Sequence, residues 1–145
     1  MKTTLYNFLL FICSMLLCLS CSDNDIKMLT RYNLPQNIRI DIPSDSMIVI
    51  RSSSEFDNRF KGYTDELSKI DFNKYDLAYI QGASPTGIED FNVQWNVDTT
   101  PYELSINIKN NITTQYQIWS LAYLIAKRKN NDVVASVVYD NAIDR

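Results

Sequence analysis

Beyond about Gln36 the chain is written mostly in alternation. Ile38, Ile40 and Ile42 are separated by polar residues, and after "PSDS" comes the run "SMIVIRS", which together predict a first β-hairpin. Between Ser52 and Leu67 the period changes. Phe56, Phe60, Tyr63 and Leu67 recur at steps of three and four, and Ser52 with Glu55 has the spacing of a capping box, so this stretch predicts one helix with a core-facing aromatic stripe. "DLAYIQG" returns to strand and ends at Gly82. "ASPTG" then supplies a tight turn, because proline presets φ and glycine accepts positive φ. Phe91, Val93, Trp95 and Val97 alternate with Asn92, Gln94 and Asn96, and past "DTTP" the residues Tyr102, Leu104, Ile106 and Ile108 alternate again, as a half-buried antiparallel pair does.

Residues 113–129, "TTQYQIWSLAYLIAKRK", admit two readings. Thr114 could cap a helix over the helix formers of 121–126. Alternatively Tyr116, Ile118, Leu121, Tyr123 and Ile125 make a long strand with a slip near Trp119, and a turn at "KNND" leads into "VVASVVYD", whose Val and Tyr content is strand-like. The hairpin reading is preferred. The fold class expected is therefore α+β and β-rich, with about seven antiparallel strands as a small twisted sheet or barrel and one packed α-helix. No internal repeat is evident.

The first residues follow a different pattern. Behind Met1 and Lys2 runs "LYNFLLFICSMLLCLS", whose apolar core from Phe8 to Leu19 is about 12 residues, short of the roughly 20 that a membrane-spanning helix needs. This is the anatomy of a signal peptide. All three cysteines, Cys13, Cys18 and Cys21, are crowded at its end. Here the chain resembles bacterial lipoproteins, whose lipobox places a small residue directly before the cysteine that receives the lipid. "CLSC" matches at Ser20 and Cys21 and departs at Cys18, where leucine is usual. The resemblance implies cleavage between Ser20 and Cys21 and lipidation of Cys21. Cys13 and Cys18 would leave with the leader, so the mature chain would carry no free thiol and no disulfide. "SDND" after Cys21 is similar to the serine-and-acid tract of Bacteroidota-type surface lipoproteins, matching at Ser22, Asp23 and Asp25 and departing at Asn24. That similarity implies a lipid-anchored protein of the outer membrane at the cell surface, with a periplasm-facing anchor as the alternative. The expected organisation is a signal peptide over 1–20, a lipidated N-terminus and tether over 21–36, and a single β-rich domain over 37–145.

Composition narrows the chemistry. The 145 residues carry a net charge of −3, and removal of residues 1–20 takes away only Lys2, leaving 13 basic side chains against 17 acidic. Nucleic acid is not an expected partner, since such binders need a basic face to displace counterions. "KRK" at 127–129 is the one basic run and reads as a solvated strand end. There is no histidine, which removes the usual general base near neutral pH and the commonest zinc ligand. The three glycines, Gly62, Gly82 and Gly87, form no phosphate-cradling motif. No cofactor or metal is expected. Paired carboxylates would be the surviving route to catalysis, but Asp65 with Glu66 and Glu89 with Asp90 are sequence neighbours that tend to point apart.

A second resemblance lies in "IDFNKYDLAYIQGASPTGIEDFNV" and the preceding helix. It is similar to the C-terminal domain of lipoproteins of bacterial protease complexes at Asp71, Phe72, Gly82, Pro85, Thr86 and Gly87, and departs from it at Ile88 and Glu89. Staphostatin-like small β-barrel protease inhibitors are comparable in size and architecture. These resemblances imply a noncatalytic, membrane-tethered protein-binding module, a protease inhibitor or protease-complex accessory whose partner is a secreted protease or surface protein. Gly82, Ser84, Pro85, Thr86 and Gly87 are the candidate binding loop: the glycines permit close approach, and the proline limits the entropy lost on binding. The alternative is a cell-surface glycan-binding module, motivated by Trp95, Trp119 and nine tyrosines.

Overall fold

The computed structural model describes residues 28–35, 38–127 and 132–140. Within them lie seven strands: β1 (Leu29–Arg31), β2 (Ser46–Ile50), β3 (Tyr75–Ser84), β4 (Ile88–Asn96), β5 (Tyr102–Asn110), β6 (Gln117–Ala126) and β7 (Val133–Asp140), with one α-helix, α1 (Ser53–Arg59). The architecture is α+β and strand-dominated, but the strands do not close into a barrel. They form two sheets, a four-stranded one in the order β1-β6-β3-β2 and a three-stranded one in the order β4-β5-β7.

Three layers result. β3 and β6 turn Ala78, Ile80, Trp119, Leu121, Tyr123 and Ile125 toward Leu104, Ile106 and Ile108 of β5, forming the core between the sheets. The opposite face of the four-stranded sheet, with Ile50, Leu77, Tyr79 and Ala122, is covered by Phe56 of α1, by Phe60 at the helix C-cap, by Leu67 and by Ile38 and Ile40. β3 is thus buried on both faces, so its apolar run is nearly continuous where β4 and β5 alternate. Trp119 is in phase with Leu121, Tyr123 and Ile125, so β6 needs no slip, and its ten residues pair throughout with β3.

Four expectations are corrected. Residues 38–42 alternate but form no strand. Their backbone is held by a side chain: Gln81 Oε1 accepts from Ile40 N–H at 3.1 Å, and its Nε2 donates to the carbonyls of Ile40 at 3.1 Å and Ile42 at 2.8 Å. Tyr79 adds a hydroxyl, 3.1 Å from the Ile38 carbonyl and 3.0 Å from Gln81 Oε1. β7 makes no hairpin with β6, because it crosses to the other sheet and runs parallel to β5, the one parallel pair among the described strands. The helix stops at Arg59, since the chain reverses through Gly62 at φ 96°; Ser52 does cap it, its hydroxyl accepting from Glu55 N–H at 3.2 Å. Finally, the domain expected to start at residue 37 already includes Leu29–Arg31, which pairs with β6, and Tyr32, which is buried with its N–H bonded to Ala122 O at 2.8 Å. Residues 1–27, including Ser20 and Cys21, lie outside the described residues.

The two long central strands give the domain two poles. Tyr75 at the start of β3 faces Ala126, and Ser84 at its end faces Gln117, about 30 Å apart at roughly 3.3 Å per residue. The near pole, where Leu29 meets Ile125, is closed by Lys127. Its ammonium donates to the carbonyls of Arg51 at 2.9 Å and Phe72 at 2.7 Å and lies 3.6 Å from the buried carboxylate of Asp76.

The Gln81 carboxamide makes all of its hydrogen bonds inside the protein, so replacing it strands several buried backbone groups. Gln81→Leu is expected to lower stability by about 2–4 kcal/mol, at roughly 1–3 kcal/mol for each buried group left without a partner. Urea denaturation checks this as a lower midpoint with an unchanged slope.

Candidate functional site

The far pole gathers the loop residues singled out in the sequence, with a division of labour among them. Gly82 and Ser84 belong to β3 and are buried; Gly87 is buried as well, Thr86 is half-buried, and Pro85 is exposed. Both glycines have internal reasons. A Cβ on Gly82 would collide with the Trp119 ring and Asp45 Oδ1, and one on Gly87 with the side chains of Asn111 and Thr113. The close approach that each glycine permits is therefore to the protein itself.

The turn between β3 and β4 is tied on every side. Ser84 Oγ donates to Asn110 Oδ1 at 3.0 Å and accepts from Thr86 N–H at 3.3 Å. Gly87 N–H donates to Thr113 O at 3.2 Å, and Asn111 N–H donates to Gly87 O at 2.8 Å. Ile88 N–H is taken by Gln117 Oε1 at 2.9 Å. These bonds fasten the turn to the segment between β5 and β6, which is itself braced where Thr113 Oγ1 donates to Asn111 Oδ1 at 2.6 Å.

That neighbouring segment carries what the sequence pattern hid. Ile112, Tyr116 and Ile118 are 84 %, 65 % and 46 % exposed, three large apolar side chains on the stretch to which the turn is hydrogen-bonded. From Asn110 to Ala126 the chain has no charged residue. The signal available was the absence of charge around an isoleucine flanked by asparagine and threonine, a place where a plain connection is normally polar.

Beneath the turn, Asp45, Trp119 and Tyr139 join the two sheets. The Tyr139 hydroxyl donates to Asp45 Oδ1 at 2.5 Å, with the Ala83 carbonyl 3.1 Å away, and accepts from Trp119 Nε1 at 3.2 Å. Burial, reinforced by the Asp45 carboxylate, pushes the Tyr139 pKa from 10.0 up to about 12.

Other candidate chemistry is dispersed. Asp65 and Glu66 lie exposed on a 3-10 turn, and Glu89 sits in the β-bulge between Ile88 and Asp90, where it pairs with Lys109 at 2.8 Å. Trp119 is buried in the core, and Trp95 is half-buried edge-on to Tyr102. The ring contacts found among the described residues join buried or half-buried aromatics. No group of three potential metal ligands occurs among them, and no helix there is long and apolar enough to cross a membrane. No family model, curated protein or solved structure matches the chain.

The Tyr139 bond sets a pH dependence. The folded pKa lies above the ordinary one, so the neutral ring's contribution is complete below pH 10 and is lost as pH rises toward 12. The stability gap between the native chain and Tyr139→Phe, read from urea midpoints, is expected to hold at pH 7–9 and narrow from pH 10 upward. A gap constant to pH 12 would contradict this.

Proposed function

We propose that this chain is a noncatalytic lipoprotein, tethered through Cys21 to the outer membrane and displayed at the cell surface, that binds a protein partner with its far pole. Its most concrete form is a protease inhibitor or an accessory of a protease complex. The observation that carries the reading is the set of exposed Ile112, Tyr116 and Ile118 beside the hydrogen-bonded turn Ser84–Gly87. Exposed apolar clusters on rigid scaffolds are the usual anchors of protein interfaces, because little conformational entropy is lost when they are covered.

Polarity along the strands supports the same reading. The chain enters β1 at the near pole, where Leu29 faces Ile125, and the tip lies at the other end of β6. A lipid on Cys21 would hold the near pole toward the membrane and leave the tip farthest from it. Absence of charge along residues 110–126 suits an apolar partner surface.

The test is a tip variant, Ile112→Ser with Tyr116→Ser and Ile118→Ser, against the surface control Asn58→Ser in α1. Inhibition of, and co-purification with, the proteases secreted by the same cells is expected to weaken roughly 30-fold in the tip variant, the loss of one hot spot worth about 2 kcal/mol, and to be unchanged in the control. Equal recovery with both variants would refute the tip as the binding surface. Labelling with an alkyne palmitate analogue tests the anchor separately: Cys21→Ser is expected to abolish the signal.

A further inference from the structure

We infer that two copies of this chain pair edge to edge through β4, antiparallel, about a two-fold axis at Val93. β4 is a terminal strand of the three-stranded sheet, bonded to β5 on one side, and among the described residues no strand lies on its other side. Exposed edges are normally blunted by charge, proline or a bulge. β4 has such protection only at its start, where the bulge between Ile88 and Asp90 sits and Gln117 occupies the Ile88 N–H. Phe91 to Trp95 has no charge, proline or glycine.

The sequence of that open stretch, Phe-Asn-Val-Gln-Trp, reads in the same chemical order from either end: aromatic, amide, valine, amide, aromatic. With Val93 opposite its own copy, an antiparallel pair sets Phe91 against Trp95 on the inner face and Asn92 against Gln94 on the outer face. Aromatic and amide cross-strand pairs are favourable, and like charges placed opposite each other are not. In this register Asp90 faces Asn96, so no acid meets an acid. A slip of two residues in one direction sets Asp90 against Asp98; a slip in the other sets Phe91 against Val93 and loses the aromatic pair. The chain is thus self-complementary in one register.

The inner face adds a reason to pair. Phe91, Val93 and Trp95 are half-buried along the open flank of the core between the sheets, so a second copy would cover apolar surface that β4 alone leaves wet. A strand-edge contact is smaller than the roughly 1,200–2,000 Å² of a standard stable interface, so the dimer is a concentration-dependent one. It leaves the tip, at the start of β4, unobstructed.

Asn92 and Gln94 are exposed on the outer face, so changing them tests the pairing without entering the core. The full chain is expected to shift from monomer to dimer in sedimentation velocity as its concentration rises. Asn92→Lys with Gln94→Lys would oppose like charges across the axis and weaken that shift at least tenfold. Asn92→Lys with Gln94→Glu would oppose unlike charges and restore it, at an unchanged melting temperature. Independently, two differently tagged full chains, one Asn92→Cys and the other Gln94→Cys, are expected to form a mixed disulfide beyond the background of a wild-type pair. A monomer at all concentrations, no response to the charge swap, or cross-links to other proteins with none between tags would each overturn the inference.

Discussion

The structure depends on one buried carboxamide. Gln81 sits in the middle of a strand covered on both faces, where an unpaired amide would be costly, and it spends both donors and its acceptor on the backbone of residues 40–42 and the Tyr79 hydroxyl. Ile38 and Ile40 can therefore lie across the four-stranded sheet as a lid without a ladder of their own. Its main chain does further work, since the Gln81 carbonyl accepts from Asp45 N–H at 2.8 Å and so fixes the turn that leads into β2. The next residue, Gly82, leaves the room in which Asp45, Trp119 and Tyr139 meet. Two adjacent positions thus govern the packing of a segment on each side of the sheet.

The same arrangement explains why the far pole is stiff and the near pole closed. At the near pole the Lys127 ammonium is taken up by two carbonyls and stands beside a buried carboxylate. At the far pole the polar atoms are spent inward, on the turn and on the segment 111–118, while apolar side chains are left outward. A surface built that way suits recognition by shape and apolar contact.

Much of the fold was legible in the sequence, and the failures have physical causes. β4 and β5 were readable because each has one wet face, so Phe91, Val93 and Trp95 or Leu104, Ile106 and Ile108 mark the buried side directly. Residues 38–42 misled because alternation reports burial on one side, not a hydrogen-bonded neighbour; a side chain can supply the missing partners. The placement of β7 was not legible, since Val137 and Tyr139 would suit either sheet and the choice rests on contacts far apart in sequence. Gly82 and Gly87 were singled out as allowing a partner to come close. What approaches them is a ring or an amide of the same chain, which spacing does not reveal. The exposed tip was hidden because the strand reading took Tyr116 and Ile118 into the buried alternation by a slip near Trp119, whereas without the slip Trp119 holds the core phase and Ile118 is left outward.

The parallel pairing of β5 with β7 has a temporal consequence. β6 lies between them in sequence yet belongs to the other layer, so the three-stranded sheet can be finished only by the last described stretch of chain, residues 133–140. Until that stretch docks, one side of β5 stays bare, so the closing step of the sheet joins segments far apart in sequence, the kind of contact that loop-closure entropy makes slow.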